Sequence, residues 1–285
     1  MTDDRQWSTY KVRVRVVKLK IFLITAFVMV CVYQIHVSLI TKINKVQILV
    51  SDDDRDSQVL RVALLSDLHV GDDESSFQEL EKLWLEVLAE QPDVIMLAGD
   101  YINDGRKKRD IAQQRARIAK ILGRSDDIPV IAVLGNHDEW STPALWSLDF
   151  RAAGIVVLEN QVMEIDRLNV CIRGFGDAFT RNFRYLDFPA NCDGKLQLSI
   201  THDPAGAFHP QVEGLILAGH THCGQIALPL LGPIYVPSDA PKKSLCGLYE
   251  DSQRQVFVSS GIGTSILPIR FFAQSQWDLL TINSP

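Results

Sequence analysis

Apolar residues along this chain come in blocks, and residues able to hold a metal sit where several of the blocks stop. The longest block comes first. Residues 21–40 are mostly Ile, Leu, Val, Phe and Ala, interrupted by Thr25, Gln34, His36 and Ser38 and by no formal charge. As a helix, a run of this length crosses a hydrocarbon core of roughly 30 Å. It has no polar face, which argues against a buried core helix. No small-residue cleavage site follows it, and it is long for the apolar part of a signal peptide. Arg5, Lys11, Arg13, Arg15, Lys18 and Lys20 precede it, while only Lys42 and Lys45 follow closely. This bias assigns 1–20 to a basic cytoplasmic flank, 21–41 to a single transmembrane anchor, 42–58 to a linker and 59–285 to an external domain, periplasmic if the cell has a periplasm. Val12, Val14 and Val16 between the charges would also let the flank lie along the membrane surface, which keeps the cytoplasmic face as the alternative.

The shorter blocks alternate in kind. Residues 45–50, 59–65, 94–98 and 130–134 are strand-like runs. Between them, Phe77, Leu80, Leu83, Trp84, Val87 and Leu88 recur at helical spacing up to Pro92, and Ile111, Ile118 and Ile121 mark a helix over 107–122. A third helix is expected over 143–153. Strand–helix alternation of this kind predicts a largely parallel sheet with right-handed crossovers. After Gly154 the texture becomes β-rich: 155–158, 162–165, 170–175, 196–200, 215–218, 245–249, 256–259 and 277–282. The acidic run 51–57 lacks the glycine and closing glutamate of a calcium loop and reads as a solvated tether.

Bulk composition narrows the field. Over 285 residues the net charge is -6, which argues against non-specific nucleic-acid binding. Hydrophobic content of 46% with 22% charged residues is ordinary for a globular chain. The five cysteines form no CxxC pair and read as free thiols, a weak pointer to a reducing compartment.

The chemistry collects at strand ends. Asp67 and His69, Asp100, Asn136 and His137, His202, and His220 and His222 each follow an apolar run, several of them after a glycine. Open α/β sheets build sites at the carboxyl ends of their strands. Five of the seven histidines belong to this set. With His137 held apart, two carboxylates, one amide oxygen and four imidazoles remain. That is more than one ion needs, and it suits two ions sharing a carboxylate, the arrangement that serves displacement at phosphorus. Mixed nitrogen and oxygen ligation fits Mn, Fe or Zn.

In order, DLH (67–69), GD (99–100), GNHD (135–138), a lone His202 and GHTH (219–222) resemble the calcineurin-like metallophosphoesterases. AGHTHCGQIALPLLGP and GIGTSILPIRFF are similar to the membrane-tethered bacterial branch, which includes phosphodiesterases and UDP-2,3-diacylglucosamine pyrophosphatase-type enzymes. The resemblance implies an α/β, four-layer αββα sandwich and a dinuclear phosphodiesterase acting on a phosphodiester or pyrophosphate through metal-bound hydroxide. It further implies one ion on Asp67, His69, Asp100 and His222 and a second on Asp100, Asn136, His202 and His220, with Asp100 bridging. His137 would contact a phosphate oxygen or protonate the leaving group. A phosphomonoesterase or protein phosphatase is the alternative, and the location implied is a bacterial inner membrane. Two departures from the family pattern stand out. Asn103 replaces an aspartate that usually supports the motif-three histidine, with Asp104 as a substitute. Cys223 replaces a glycine, as a tolerated small side chain. The apolar loops 226–235 and 262–272 suggest a lipid-linked substrate whose head group would meet Arg270, Lys242 and Lys243. No obligate protein partner is evident.

Overall fold

The structure is a computed structural model that describes residues 3–50, 58–103, 111–229 and 231–284. The acidic run 51–57, Asp104, the first residues of the expected 107–122 helix and Leu230 lie outside the described residues. In chain order the elements begin with helix α1 (Asp3–Leu39), strands β1 (Lys42–Leu49) and β2 (Gln58–Leu65), α2 (Glu74–Ala89), β3 (Val94–Leu97), α3 (Ala112–Leu122), β4 (Val130–Ala132), α4 (Asn136–Ser141) and α5 (Pro143–Ala152). There follow β5 (Val156–Val157), β6 (Gln161–Ile165), β7 (Val170–Gly174), β8 (Leu196–Ile200), β9 (Gly214–Ala218), β10 (Ala227–Leu228), β11 (Gly232–Pro233), β12 (Gly247–Glu250), β13 (Arg254–Val258) and β14 (Gln276–Ser284).

Two six-stranded sheets carry the domain. The first has the order β1-β14-β2-β3-β4-β5 and the second β12-β13-β9-β8-β7-β6. Strands β2 to β5 are mutually parallel, as are β7, β8, β9 and β13, so each sheet gathers most of its carboxyl ends on one edge. Continuous apolar runs make these strands because both faces of each sheet are covered. Leu64, Met96 and Ile131 face Ile172, Leu198 and Leu217 between the sheets. Ala63, Leu65, Ile95 and Leu97 meet Trp84, Ile118, Trp146 and Phe150 of the helices on the outer side. Each fully buried Leu or Ile contributes about 1.5–3 kcal/mol. The outer face of the second sheet is covered thinly, by Phe183, Tyr185, Leu186 and the 3-10 helix Pro204–Phe208, with no α-helix among the described residues.

Helix α1 joins the basic flank and the apolar run into one continuous rod. Its segment Lys20–Leu39 is long and apolar enough to cross a membrane, and only 6% of that window is buried against protein. Segment 42–58, expected as a linker, holds β1, an edge strand paired in parallel with β14 from Lys42↔Gln276 to Leu49↔Asn283. A strand with Lys42, Asn44 and Lys45 at a sheet edge resists further pairing, which is why so polar a sequence can end the sheet.

The cysteine expectation is corrected. Cys171 pairs with Cys192, and Cys223 with Cys246; among the described residues only Cys31, in α1, is free. The partners stand 21 and 23 residues apart, a spacing that no short cysteine motif marks. Loops of this size make each bridge worth about 3 kcal/mol. Cys223 is therefore one end of a covalent tie and not merely a small side chain in a glycine's place.

Candidate metal centre

The carboxyl ends of β2, β3, β8 and β9, with the amino end of α4, deliver the site residues. Strand pairing continues past β2 and β3 as loop pairing: Asp67 N donates to Gly99 O, His69 N to Asp100 O and Val70 N to Tyr101 O, at 2.9–3.0 Å. The chain bends sharply to do this. Asp67, His69, Asp100, His220 and His222 all have φ between 45° and 68°, the left-handed region that side chains with a Cβ rarely adopt. Strain of about 1–3 kcal/mol per residue persists only where the surroundings enforce it, and it clusters at functional sites.

The enforcement is visible. Asp67 Oδ2 accepts from His220 N at 2.9 Å, which binds the first motif to the last. Asp100 Oδ1 accepts from His137 N at 2.8 Å. The Asp138 carboxylate accepts from the backbone N–H groups of Asp100, Tyr101 and Gly135 at 2.8–3.0 Å and so clamps the end of β3 to the end of β4. Sequence reasoning gave Asp138 no role. Its signal was an acid in the first turn of a helix, where free N–H groups collect.

All seven ligand candidates converge. Asp67, His69 and His222 offer atoms within 4.8 Å of one another, as do Asp100, His202 and His220. Asp100 Oδ2 stands between the two groups, 3.7 Å from His69 Nε2 and 3.4 Å from His202 Nε2. Asn136 Oδ1 lies 3.2 Å from His202 Nε2. His137, on the cleft side, places Nε2 3.9 Å from Asp100 Oδ2 and forms a further grouping with His69 and Asp100. Its Nδ1 has no hydrogen-bond partner among the described residues, so Asn103 does not supply the support an aspartate would give.

Tautomers test whether cations fit. His202 Nδ1–H donates to Ala98 O at 2.6 Å, His69 Nδ1–H to Ile102 O at 3.3 Å, and His220 Nε2–H to Pro237 O at 2.8 Å. A ring nitrogen that donates to a carbonyl leaves the other with a lone pair. The bare His202 Nε2 and His220 Nδ1 face each other at 3.1 Å. Two lone pairs attract each other only through a positive charge between them. His69 Nε2 faces His222 Nε2 at the same distance, here with the His222 proton between them because Arg270 Nη2–H donates to His222 Nδ1, and buried Asp67 Oδ1 has no hydrogen-bond partner among the described residues. Burial, aided by neighbouring cations and imidazoles, lowers the His69 pKa to about 4 and that of His222 to about 3, so both rings are neutral, as ligation requires. Burial would lower His202 as well, but the Asp100 carboxylate overrides it and raises this ring well above its ordinary value. A proton held there occupies the place of a cation. The donor set fits two divalent ions.

Arg270 is corrected. It is fully buried and donates to the carbonyl oxygens of Ser260, Gly261 and Gly263, so it cannot greet a head group. Its Nη2 also lies 3.0 Å from His222 Nδ1. Lys242 and Lys243 are exposed and outside the lining of the cleft. That cleft, about 730 Å³, opens over Asn136, His137, His220 and His222, and its walls include Trp140, Phe179, Ile226, Tyr235, Ile266 and Leu267.

A two-sheet α/β sandwich with paired carboxylate–imidazole groupings at its strand ends is the architecture of a dinuclear metallohydrolase. The chain belongs to the calcineurin-like phosphoesterase family, whose model matches residues 60–224. It is 28% identical over 234 residues to the metallophosphoesterase YkuE of Bacillus subtilis, covering 79% of each chain. It is 28% identical over 185 residues to phosphodiesterase YaeI of Escherichia coli, covering 62% of this chain and 66% of that one. A transmembrane protein with a metallophosphoesterase domain from Danio rerio is 26% identical over 238 residues, 76% of this chain and 52% of the relative. The family uses two divalent metals and hydrolyses phosphoester bonds, and this chain is such a hydrolase.

Proposed function

We propose that the chain is a membrane-held phosphodiesterase, acting on a phosphodiester or pyrophosphate that is lipid-linked. One ion would be held by Asp67, His69, Asp100 and His222, the other by Asp100, Asn136, His202 and His220. The observation that carries this is geometric: Asp67, His69 and His222 on one side and Asp100, His202 and His220 on the other each bring ligand atoms within 4.8 Å of one another, with Asp100 Oδ2 between the two groups. Bound there, two divalent ions supply Lewis acidity and neutralise phosphoryl charge. The protein's own part is positional. Asp138 fixes the backbone of Asp100, and Asp67 is pinned by His220 N. His137 stands at the cleft wall, with its Nε2 on the Asp100 side, and gives its proton to the leaving oxygen. The apolar walls orient a substrate with a greasy portion and shed water from its ester.

The placement is a single-pass inner membrane protein of a bacterium with the domain outside. Basic residues before α1 favour a cytoplasmic N-terminus. The two disulfides favour an oxidising compartment, reversing the weight the cysteines carried when read as thiols.

The test is hydrolysis of a chromogenic aryl diester with added manganese. His137→Ala lowers turnover by about 10²–10⁴-fold, the usual worth of a general acid, and Asp100→Asn abolishes it. Turnover that survives both changes rejects the assigned site.

A further inference from the structure

We propose that the catalytic edge of the sheets faces the bilayer, and that the loops 226–235 and 262–272 seat in its interfacial region beside the exit of α1. This rests on the reading of α1 as a membrane span and adds an orientation to the proposed function; it does not need the hydrolase assignment. The occupant of the surface is a lipid bilayer, and the ester to be cut is drawn from the leaflet in which α1 ends.

Strand register fixes the direction. Strand β1 starts three residues after the helix and runs away from it, and β14 runs parallel to β1. Strand β2 is antiparallel to β14 and therefore returns towards the membrane end. Asn44 pairs with Asp278, which pairs with Leu64. The end of β2 thus stands level with the beginning of β1, two strand spacings or about 10 Å to the side. Ser66 and Asp67 continue past it towards the level at which the helix ends. Strands β3 and β4 are parallel to β2, so Asp100 and Asn136 leave from the same edge.

Hydrogen bonds make the geometry rigid. Ser275 N donates to Ser38 O at 2.8 Å, and the Gln274 side chain donates to Val37 O and Ile40 O at the end of α1. Ser275 Oγ donates to Ile262 O at 2.7 Å. Ile262 N and Gly263 N in turn donate to Ser66 O and Asp67 O. A short chain of bonds therefore runs from the last turn of the membrane helix to a metal-site residue.

The surface next to this clasp is apolar. Ile266 is 93% exposed and Leu231 80% exposed, with Ile234, Tyr235, Leu267 and Phe272 also open to solvent. The two loops form one unit: Ile226 bridges Phe271, and Gln225 Nε2 donates to Leu267 O. Phe272 is two residues from Gln274, so it lies within about 7 Å of the helix clasp along the chain. Large apolar side chains gathered this way on an exposed face mark an interaction surface. Their continuity with a lipid-facing helix selects lipid as the partner, and Ile266 and Leu267 also line the cleft mouth.

The test uses the full chain in phosphatidylglycerol–phosphatidylethanolamine nanodiscs. Cys31→Ser removes the free thiol, and single cysteines at Ile266→Cys, Leu231→Cys and Val59→Cys each take a nitroxide. Val59 is exposed at the far end of β2. A single labelled thiol per chain, counted under denaturant, verifies that both disulfides are intact in each variant. The expected result is a severalfold higher ratio of oxygen to nickel-chelate collision at 266 and 231 than at 59. Labels at 266 and 231 as open to the aqueous chelate as that at 59 overturn the proposal. The readout involves no turnover, so failure of the hydrolase assignment would show itself separately, in the aryl diester assay.

Discussion

Gly135→Ala isolates the space that the metal centre needs. At φ -98° and ψ 178° Gly135 has extended backbone open to any residue, so its glycine identity answers to room alone. A Cβ there would lie 2.5 Å from Asp100 N and 2.8 Å from His202 Cε1, and would collide with Asp100 Oδ1. Ordinary contact begins at 3.4 Å, so the ends of β3 and β4 must part by about 0.9 Å against backbone, which cannot rotate aside. Overpacking of this kind costs about 1–3 kcal/mol. Each kcal/mol lowers Tm by about 2–4 °C in a domain of this size. Because Asp100 stands between both ligand groups, the shift falls on the reacting geometry, and a misplacement near 1 Å costs about 100-fold. Aryl diester hydrolysis with manganese and thermal unfolding are to be measured together. Gly154→Ala is the control: its φ is +84°, and a Cβ there meets nothing within 4 Å. It is expected to lose about 1 kcal/mol of stability from backbone strain while keeping its turnover. A Gly135→Ala enzyme with unaltered turnover and Tm, or a Gly154→Ala enzyme equally crippled, refutes the close-approach reasoning.

Other expectations follow from separate parts of the molecule. Burial raises the Asp278 carboxyl to about 6 despite bonds from Asn44 and Gln276, so the native state holds a proton that the unfolded chain gives up near 3.8. Asp278→Asn should therefore be more stable by about 3 kcal/mol above pH 6, with the advantage shrinking as pH falls through 6 and gone below pH 4; parallel stability–pH curves for the two proteins would exclude this. Breaking Cys223–Cys246 with reductant or as a double serine variant should cost about 3 kcal/mol and reduce turnover, since Cys223 adjoins His222; a Tm indifferent to reductant speaks against the bridge. Leu231→Ser with Ile266→Ser should lower cleavage of a lipid phosphodiester severalfold more than cleavage of a soluble aryl diester, and equal losses on both would remove the role given to the loops.

The convergence of the candidate ligands was legible because each follows an apolar run that ends abruptly, and parallel sheets send such ends to one edge. Asp67, Asp100 and His220 could be placed together from that rule alone. What escaped depends on partners remote in sequence. The run 45–50 reads as a strand, but nothing in 42–49 says that it joins the sheet and is not part of a linker, because its mate β14 arrives more than 230 residues later. Cys171 and Cys223 pair with cysteines 21 and 23 residues away, a spacing that carries no pairing signal in the sequence. Arg270 looked like a surface cation among apolar neighbours, yet three converging carbonyl oxygens make its burial tolerable. Asp138 carries no mark in sequence that separates a clamp on backbone N–H groups from an ordinary helix-starting acid.

The proposed chemistry depends on two cations sharing Asp100. Its most direct test is metal analysis of the full chain purified with manganese, combined with anomalous diffraction. The expected result is two ions per chain, one on each side of the Asp100 carboxylate, and loss of metal in Asp100→Asn. A single ion, none, or two ions seated away from Asp100 would contradict it.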